Sequence, residues 1–497
     1  MACPSETFAD EVCTKPLIKT GKIICKLPFV IDEPGYYVLK KNLKFPNKHC
    51  SNINGPLITI EANNVTLDGS QKQIIVDKQG TADAEVVVIS IPGGNNIPYK
   101  FRNIVIKDLT IISNLPPTNF ILGANAAGVE KLIFDNFDCI NITSAIRITN
   151  IEDINVKNSL FRDTKAIFPN DFPFGAAIEV ITNIISMRIS NCNFEKLNPG
   201  SSTLQSGILA RVNTSENTTQ KVFVNNCLFN GCDTNVNFHT AIDVIVEDVE
   251  IFQTNTTFNA LQFGFFFPES VVKNVTVRNI QISALNNPPQ SAYAGVLLVN
   301  GTTALIENVI LTTNAETTPG PDGELAEAIL IGAAFLTGDP SIIFNNVLIK
   351  DVVIAGPNNI GINIDGSKNV TIKNSVINEA NINILTLPGS SNIVIKDNEI
   401  NGPALLPGDS IGISFTGTDQ STIYNNTITG NTTNGIVVDS TSNNNLIKEN
   451  NLVANGVPQI NNESATTVLE NNTEVITASV NTKNKLHAKH KIKKHLI

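Results

Sequence analysis

The sequence predicts an all-β fold, a single-stranded right-handed parallel β-helix solenoid of about 13 or more coils, and three observations predict it. A short element of the form apolar, any, Asn or Asp, any, any, apolar recurs along the chain. A small residue followed by alternating apolar positions precedes most copies at a fixed distance. The composition is 42% hydrophobic and only 16% charged, with no Trp, which argues against both disorder and a helical bundle.

The first element has its polar centre at Asp108, Asn136, Asn158, Asn191, Asn226, Asp248, Asn279, Asn308, Asn346, Asn374, Asp397, Asn425 and, as a variant, Glu449, a mean spacing of roughly 28 residues. So short a unit cannot enclose a core. Stacked on copies of itself at the ~4.8 Å spacing between strands, it aligns Ile and Val into continuous inner ladders. Asn suits the turn because it tolerates left-handed geometry and its amide can hydrogen-bond to the next coil.

The second element begins at Ala145, Ala177, Gly295, Gly361, Gly412 and Gly435, and each lies 13 or 14 residues before a polar centre. Alternation of period two means strands with one buried face. Fixed spacing within a strand pair and variable spacing before the next pair means loops that leave along one edge. The expected organisation is an N-terminal cap region over 1–56, the β-helix over 57–476 and a basic, disordered tail over 477–497.

A net charge of -10 excludes a broad nucleic-acid-binding surface. No apolar run approaches the ~18 residues of a membrane span, and Met1–Cys13 is acidic without the basic and apolar regions of a secretory signal. Cytoplasmic synthesis without an export signal is therefore expected. The eight cysteines show no CxxC spacing and no interleaved His, so neither zinc nor any other cofactor is expected. Cys192 and Cys227 hold equivalent positions one coil apart, a thiol ladder unless oxidised.

The segments Gly35–Leu43 and Ile58–Gly69 resemble the entry of NosD-type and pectin-lyase-like right-handed β-helix proteins, and the likeness extends along most of the chain. That superfamily includes polysaccharide lyases, hydrolases and epimerases, phage tailspikes and non-catalytic surface proteins, so the resemblance implies a fold and leaves the function open. The coil from Gly361 to Ile382 is similar to the catalytic coil of polygalacturonases, but the family's pattern is not met. Asn358-Asn359-Ile360 stands where Asn-x-Asp is needed, Glu379–Asn381 replaces the Asp pair, and no His lies between His239 and His487. Nor is there a pectate-lyase-like cluster of Asp with Arg.

Candidate catalytic residues are Glu179 and Asp243, two carboxyls expected on the outer face two coils apart, near the upper end of the ~6.5 to 9.5 Å separation of inverting glycosidases, and His239 as a general acid or base. The competing expectation is an ionic ladder of Arg147 with Glu179 and a structural His239. Candidate binding residues are Arg147 and the loop aromatics Phe172, Phe265, Phe266 and Tyr293, which could stack on sugars or pack beneath the loops. Leu297 and Leu330 form an outward apolar stripe that a loop or a second copy must cover, so self-association, by analogy as a trimer, is expected. The tail from Lys483 to Ile497 carries Lys483, Lys485, Lys489, Lys491, Lys493 and Lys494 with no acid, a basic tether that can contact an anionic scaffold. Together these features favour a non-catalytic structural or adhesive protein on a virion, spore or cell surface, able to bind polysaccharide. The alternative is a polysaccharide hydrolase, lyase or epimerase with a non-standard site.

Overall fold

The computed structural model describes residues 21–46, 55–77, 86–94, 99–114, 121–164, 174–196, 204–210, 219–232, 234–253, 259–265, 270–284, 293–313, 326–356, 358–403 and 409–476. The 41 strands among the described residues belong to one continuous hydrogen-bonded system, and consecutive coils pair in parallel on three faces. The coil beginning at Ile360 shows the plan. Ile360–Ile364 lies in a first sheet, Val370–Lys373 in a second and Val376–Asn378 in a third. On the next coil Ile384, Ile395 and Ile400 stand directly against Ile362, Ile372 and Ile377, and all six are fully buried. Like side chains stacked at one strand spacing make the predicted inner ladders.

Pairing begins before residue 57, where the sequence placed the start of the solenoid. Lys22–Ile24 pairs with Gly35–Leu39, which pairs with Val65–Val76, and Phe29–Ile31 pairs with Ile58–Ile60. These first strands are three to five residues long and lack the Asn element, so no repeat announced them. The expected tail over 477–497 lies outside the described residues.

Corners are made by left-handed residues. Asp108, Asn136, Asn158, Asn191, Asn226, Asp248, Asn279, Asn308, Asn374, Asp397, Asn425 and Glu449 have φ of 50 to 57° at the turn from the second sheet to the third. Outside glycine, Asn and Asp accept this conformation at least cost. Their amides also link coils: Asn226 donates to Asn191 at 2.6 Å, Asn191 to Asn158 at 3.1 Å and Asn308 to Asn279 at 2.8 Å.

Asn346 does not sit at this corner. Register places it beside Thr302–Ala304 and Asn369, at the corner between the first and second sheets, where Asn369 donates to it at 3.0 Å. The residue at the predicted corner of that coil is Asp351, with φ 55°. Both corners require a left-handed residue between apolar positions, so the six-residue pattern fits either.

Immediately after the outer Asn, the chain turns one side chain inward. This column runs Ser159, Cys192, Cys227, Val249, Ile280, Val309, Val352, Ser375, Asn398, Asn426, Asn450 and Asn472. From Asn398 onward it is a buried amide ladder. Asn426 Oδ1 accepts the backbone N–H and the side-chain amide of Asn398, both at 3.0 Å, and Asn426 Nδ2 donates to Ile395 O at 2.9 Å and to Asn450 Oδ1 at 3.0 Å. Buried polar groups are tolerated here because each coil supplies the partners of the one before.

Cys192 and Cys227 are buried thiols in the same column, as their spacing predicted. The adjoining Cys227 thiol and burial push Cys192 well up from its ordinary value, and burial does the same to Cys139. Thiolate being the reactive form, iodoacetamide at pH 8 is expected to leave Cys139, Cys192, Cys227 and Cys232 unmodified in the native protein while half-buried Cys25 labels. Peptide mass mapping reads this, and Cys192 labelling as fast as Cys25 would contradict it.

Candidate functional site

The outer face of the first sheet carries one column of side chains in register: Arg147, Glu179, Leu209, Asn237, Gln262, Leu297, Leu330 and Asn363. Arg147 Nε donates to Glu179 Oε2 at 2.9 Å, and Glu179 is only 2% exposed. The guanidinium holds this carboxylate in place, so the predicted ionic ladder forms and Glu179 is committed to it. Leu297 and Leu330 are also buried, in a cluster with Ala294, Val299, Ala333 and Ile342. The segment after Ile331 thus folds back over the stripe that the sequence left for a loop or a second copy to cover.

Asp243 is not on this face. Ala241–Gln253 opens in the second sheet, where Ala241 pairs with Thr219, and Asp243 is a left-handed corner residue with φ 53° that accepts a hydrogen bond from Asn274 at 2.7 Å. The first-sheet strand of that coil is Thr234–Phe238, so the outer-face position expected of Asp243 belongs to another strand. His239 follows that strand, and its ring stacks on Phe265 with centroids 4.5 Å apart. Phe265 therefore packs against protein. Phe172 and Phe266 lie outside the described residues; Tyr293 opens a first-sheet strand opposite Ala326. The three predicted catalytic groups do not share a site: Glu179 is in the first sheet, Asp243 at a corner, and His239 two coils beyond Glu179.

Sequence reasoning did not single out Glu327. It occupies the outward position opposite Ile360, is 5% exposed and accepts a hydrogen bond from Asn363 Nδ2 at 2.8 Å. Burial lifts its carboxyl to about 8, the Asn363 amide works in the opposite direction and the fully buried Asp365 adds to the rise. At neutral pH this is mainly a neutral acid. The signal available was one Glu within the apolar strand Ala326–Ile331.

An open groove of about 370 Å³ lies on the outer face of the second sheet, lined by Lys131, Ile133, Asp153, Asn155, Ser186 and Arg188. Register sets these as two axial columns, Lys131–Asp153–Ser186 and Ile133–Asn155–Arg188, one residue of each per coil. Phe223 continues the second column, with the Arg188 guanidinium 5.3 Å from its ring centre. Asn155 Oδ1 is buried without a hydrogen-bond partner. Two cations, a carboxylate, an amide and a hydroxyl thus sit at the strand spacing beside an aromatic ring, an arrangement able to hydrogen-bond an extended, hydroxyl-rich ligand along the axis. Alternating strands put one polar residue outward at every second position, so these residues looked like any solvated face.

Parallel coils, three sheets and left-handed corners define the chain as a right-handed parallel β-helix protein. The family described as "Right handed beta helix region" matches residues 335–487. No curated protein matches the chain in sequence. Among solved structures, it is similar to a mutant tailspike protein of E. coli bacteriophage HK620 in complex with a pentasaccharide, at 11% identity and TM-score 0.49, covering 88% of this chain and 74% of that one. It is also similar to the A-module of the Azotobacter vinelandii mannuronan C-5 epimerase AlgE4, at 11% identity and TM-score 0.38, covering 88% and 91%. Likeness at this level concerns the fold alone. No helix among the described residues is long and apolar enough to cross a membrane.

Proposed function

We propose that the protein is a non-catalytic, glycan-binding β-helix displayed on a virion, spore or cell surface, with the second-sheet groove as its saccharide site. The groove carries this reading: Lys131, Asp153, Asn155, Ser186 and Arg188 face one opening with Phe223 alongside. Glu179, by contrast, is tied to Arg147 and Asp243 accepts from Asn274, so each is engaged in structure. Pelleting and array binding on neutral, acetylated and uronate polysaccharides test it. Arg188→Ala and Asp153→Ala should each weaken binding by about 10-fold or more, the scale of a lost charged hydrogen bond. Binding unchanged in both variants would remove the groove from the account. Self-association as a trimer belongs to the same reading, and sedimentation equilibrium gives the mass that decides it.

A second reading, a polysaccharide hydrolase, lyase or epimerase, is favoured by one observation. Glu327 is a carboxyl held neutral near pH 7 beside Asp365, the protonation state a general acid needs.

A further inference from the structure

The two ends of the solenoid differ. In the first coil Ile24 and Ile31 are 0% exposed. In the last, Ile460–Asn462, Val468–Glu470 and Thr473–Val475 pair, among the described residues, only with the coil before them. Leu469 stands in the inward column directly after Ile447, yet is 46% exposed where Ile447 is 0%; Val468, Val475 and Ile476 are exposed beside it. In the third sheet the inward column ends with Glu474, which replaces the fully buried Leu452. Unpaired strand edges and an open core are a surface that stacked repeats need to cover.

Charge selects the occupant. The open end carries exposed Glu463, Glu470 and Glu474. A second copy meeting it through the same end would set these acids against their own counterparts. Residues 477–497 instead follow directly from Ile476, carry six Lys and no acid between Lys483 and Ile497, and include apolar Leu486, Ile492, Leu496 and Ile497. Attachment at the edge of the face gives the segment an effective concentration on the order of millimolar. We propose that residues 477–497 dock on this acidic, apolar end face, their lysines against Glu470 and Glu474 and their apolar residues against Leu469 and Ile476.

Hydrogen exchange of the full-length chain tests this without requiring a truncation to fold. Amides of Val468–Glu470 and Thr473–Val475 are expected to exchange at least 10-fold faster when Lys489, Lys491, Lys493 and Lys494 are changed to Glu. Protection should return when Glu470→Lys and Glu474→Lys are added, and should not vary with protein concentration. Equal exchange in the native and charge-reversed chains would overturn the proposal. So would protection that rises with concentration, because the occupant would then be another molecule.

Discussion

Asn426→Ala is expected to destabilise the fold by about 2 to 5 kcal/mol, whereas Asn425→Ala, one residue earlier, costs about 1 to 2 kcal/mol. The two asparagines face opposite sides of the same corner. Asn425 is exposed, with φ 54°, and its amide donates to Asp397 Oδ1 at 2.7 Å. Water replaces that bond when the side chain is removed, leaving mainly the backbone cost of a left-handed alanine. Asn426 is 1% exposed. Its removal leaves the N–H of Asn398 without its acceptor and takes one amide donor each from the carbonyl of Ile395 and from Asn450 Oδ1, which keeps the backbone N–H of residue 426, all where water has little access. Each buried orphan costs ~1 to 3 kcal/mol, and alanine adds a cavity. Urea midpoints or, if unfolding is irreversible, unfolding rates at one temperature measure the difference. Equal effects for Asn425 and Asn426 would contradict the buried ladder.

Glu327→Gln should raise stability at pH 9 and leave it unchanged near pH 4. Its carboxyl sits near 4.5 in an unfolded chain and at about 8 in the folded one, so between these values the folded state holds the extra proton. Stability linked to this group is therefore fully present below pH ~4.5 and lost as pH rises through about 8. A separation of this size corresponds to something on the order of 3 to 5 kcal/mol. Gln keeps the oxygen that accepts from Asn363 and removes the charge. Thermal unfolding across pH 4 to 9 reads the result, and parallel curves for native protein and variant would show that Glu327 is ionised in the fold.

The fold was legible because stacking writes itself into the sequence twice, as period-two alternation and as a left-handed Asn at each corner. Where corners share chemistry, the pattern lost its direction: Asn346 and Asp243 both occupy the corner between the first and second sheets, and both were assigned elsewhere. The inner amide ladder was visible as acid–Asn or Asn–Asn pairs, such as Asp397-Asn398 and Asn425-Asn426, without a mark showing which member turns inward. An inward Asn pays no visible tribute to hydrophobic patterning because its partners come from other coils, about 23 to 28 residues away. The Arg147–Glu179 pair was recoverable from register alone. The second-sheet groove was not, since an outward Lys or Ser becomes a site only through what the neighbouring coils place beside it.

The central claim, glycan binding in the second-sheet groove without turnover, is tested most directly by one titration. The native protein, Arg188→Ala and Glu327→Gln are each incubated with the polysaccharide that binds best, and bound ligand, new reducing ends and unsaturated-uronate absorbance are measured together. The account predicts binding weakened by about 10-fold or more in Arg188→Ala, retained in Glu327→Gln, and recovered glycan unchanged throughout. Product formed by the native protein and abolished in Glu327→Gln would contradict it and make the first sheet's buried acid the centre of an enzyme.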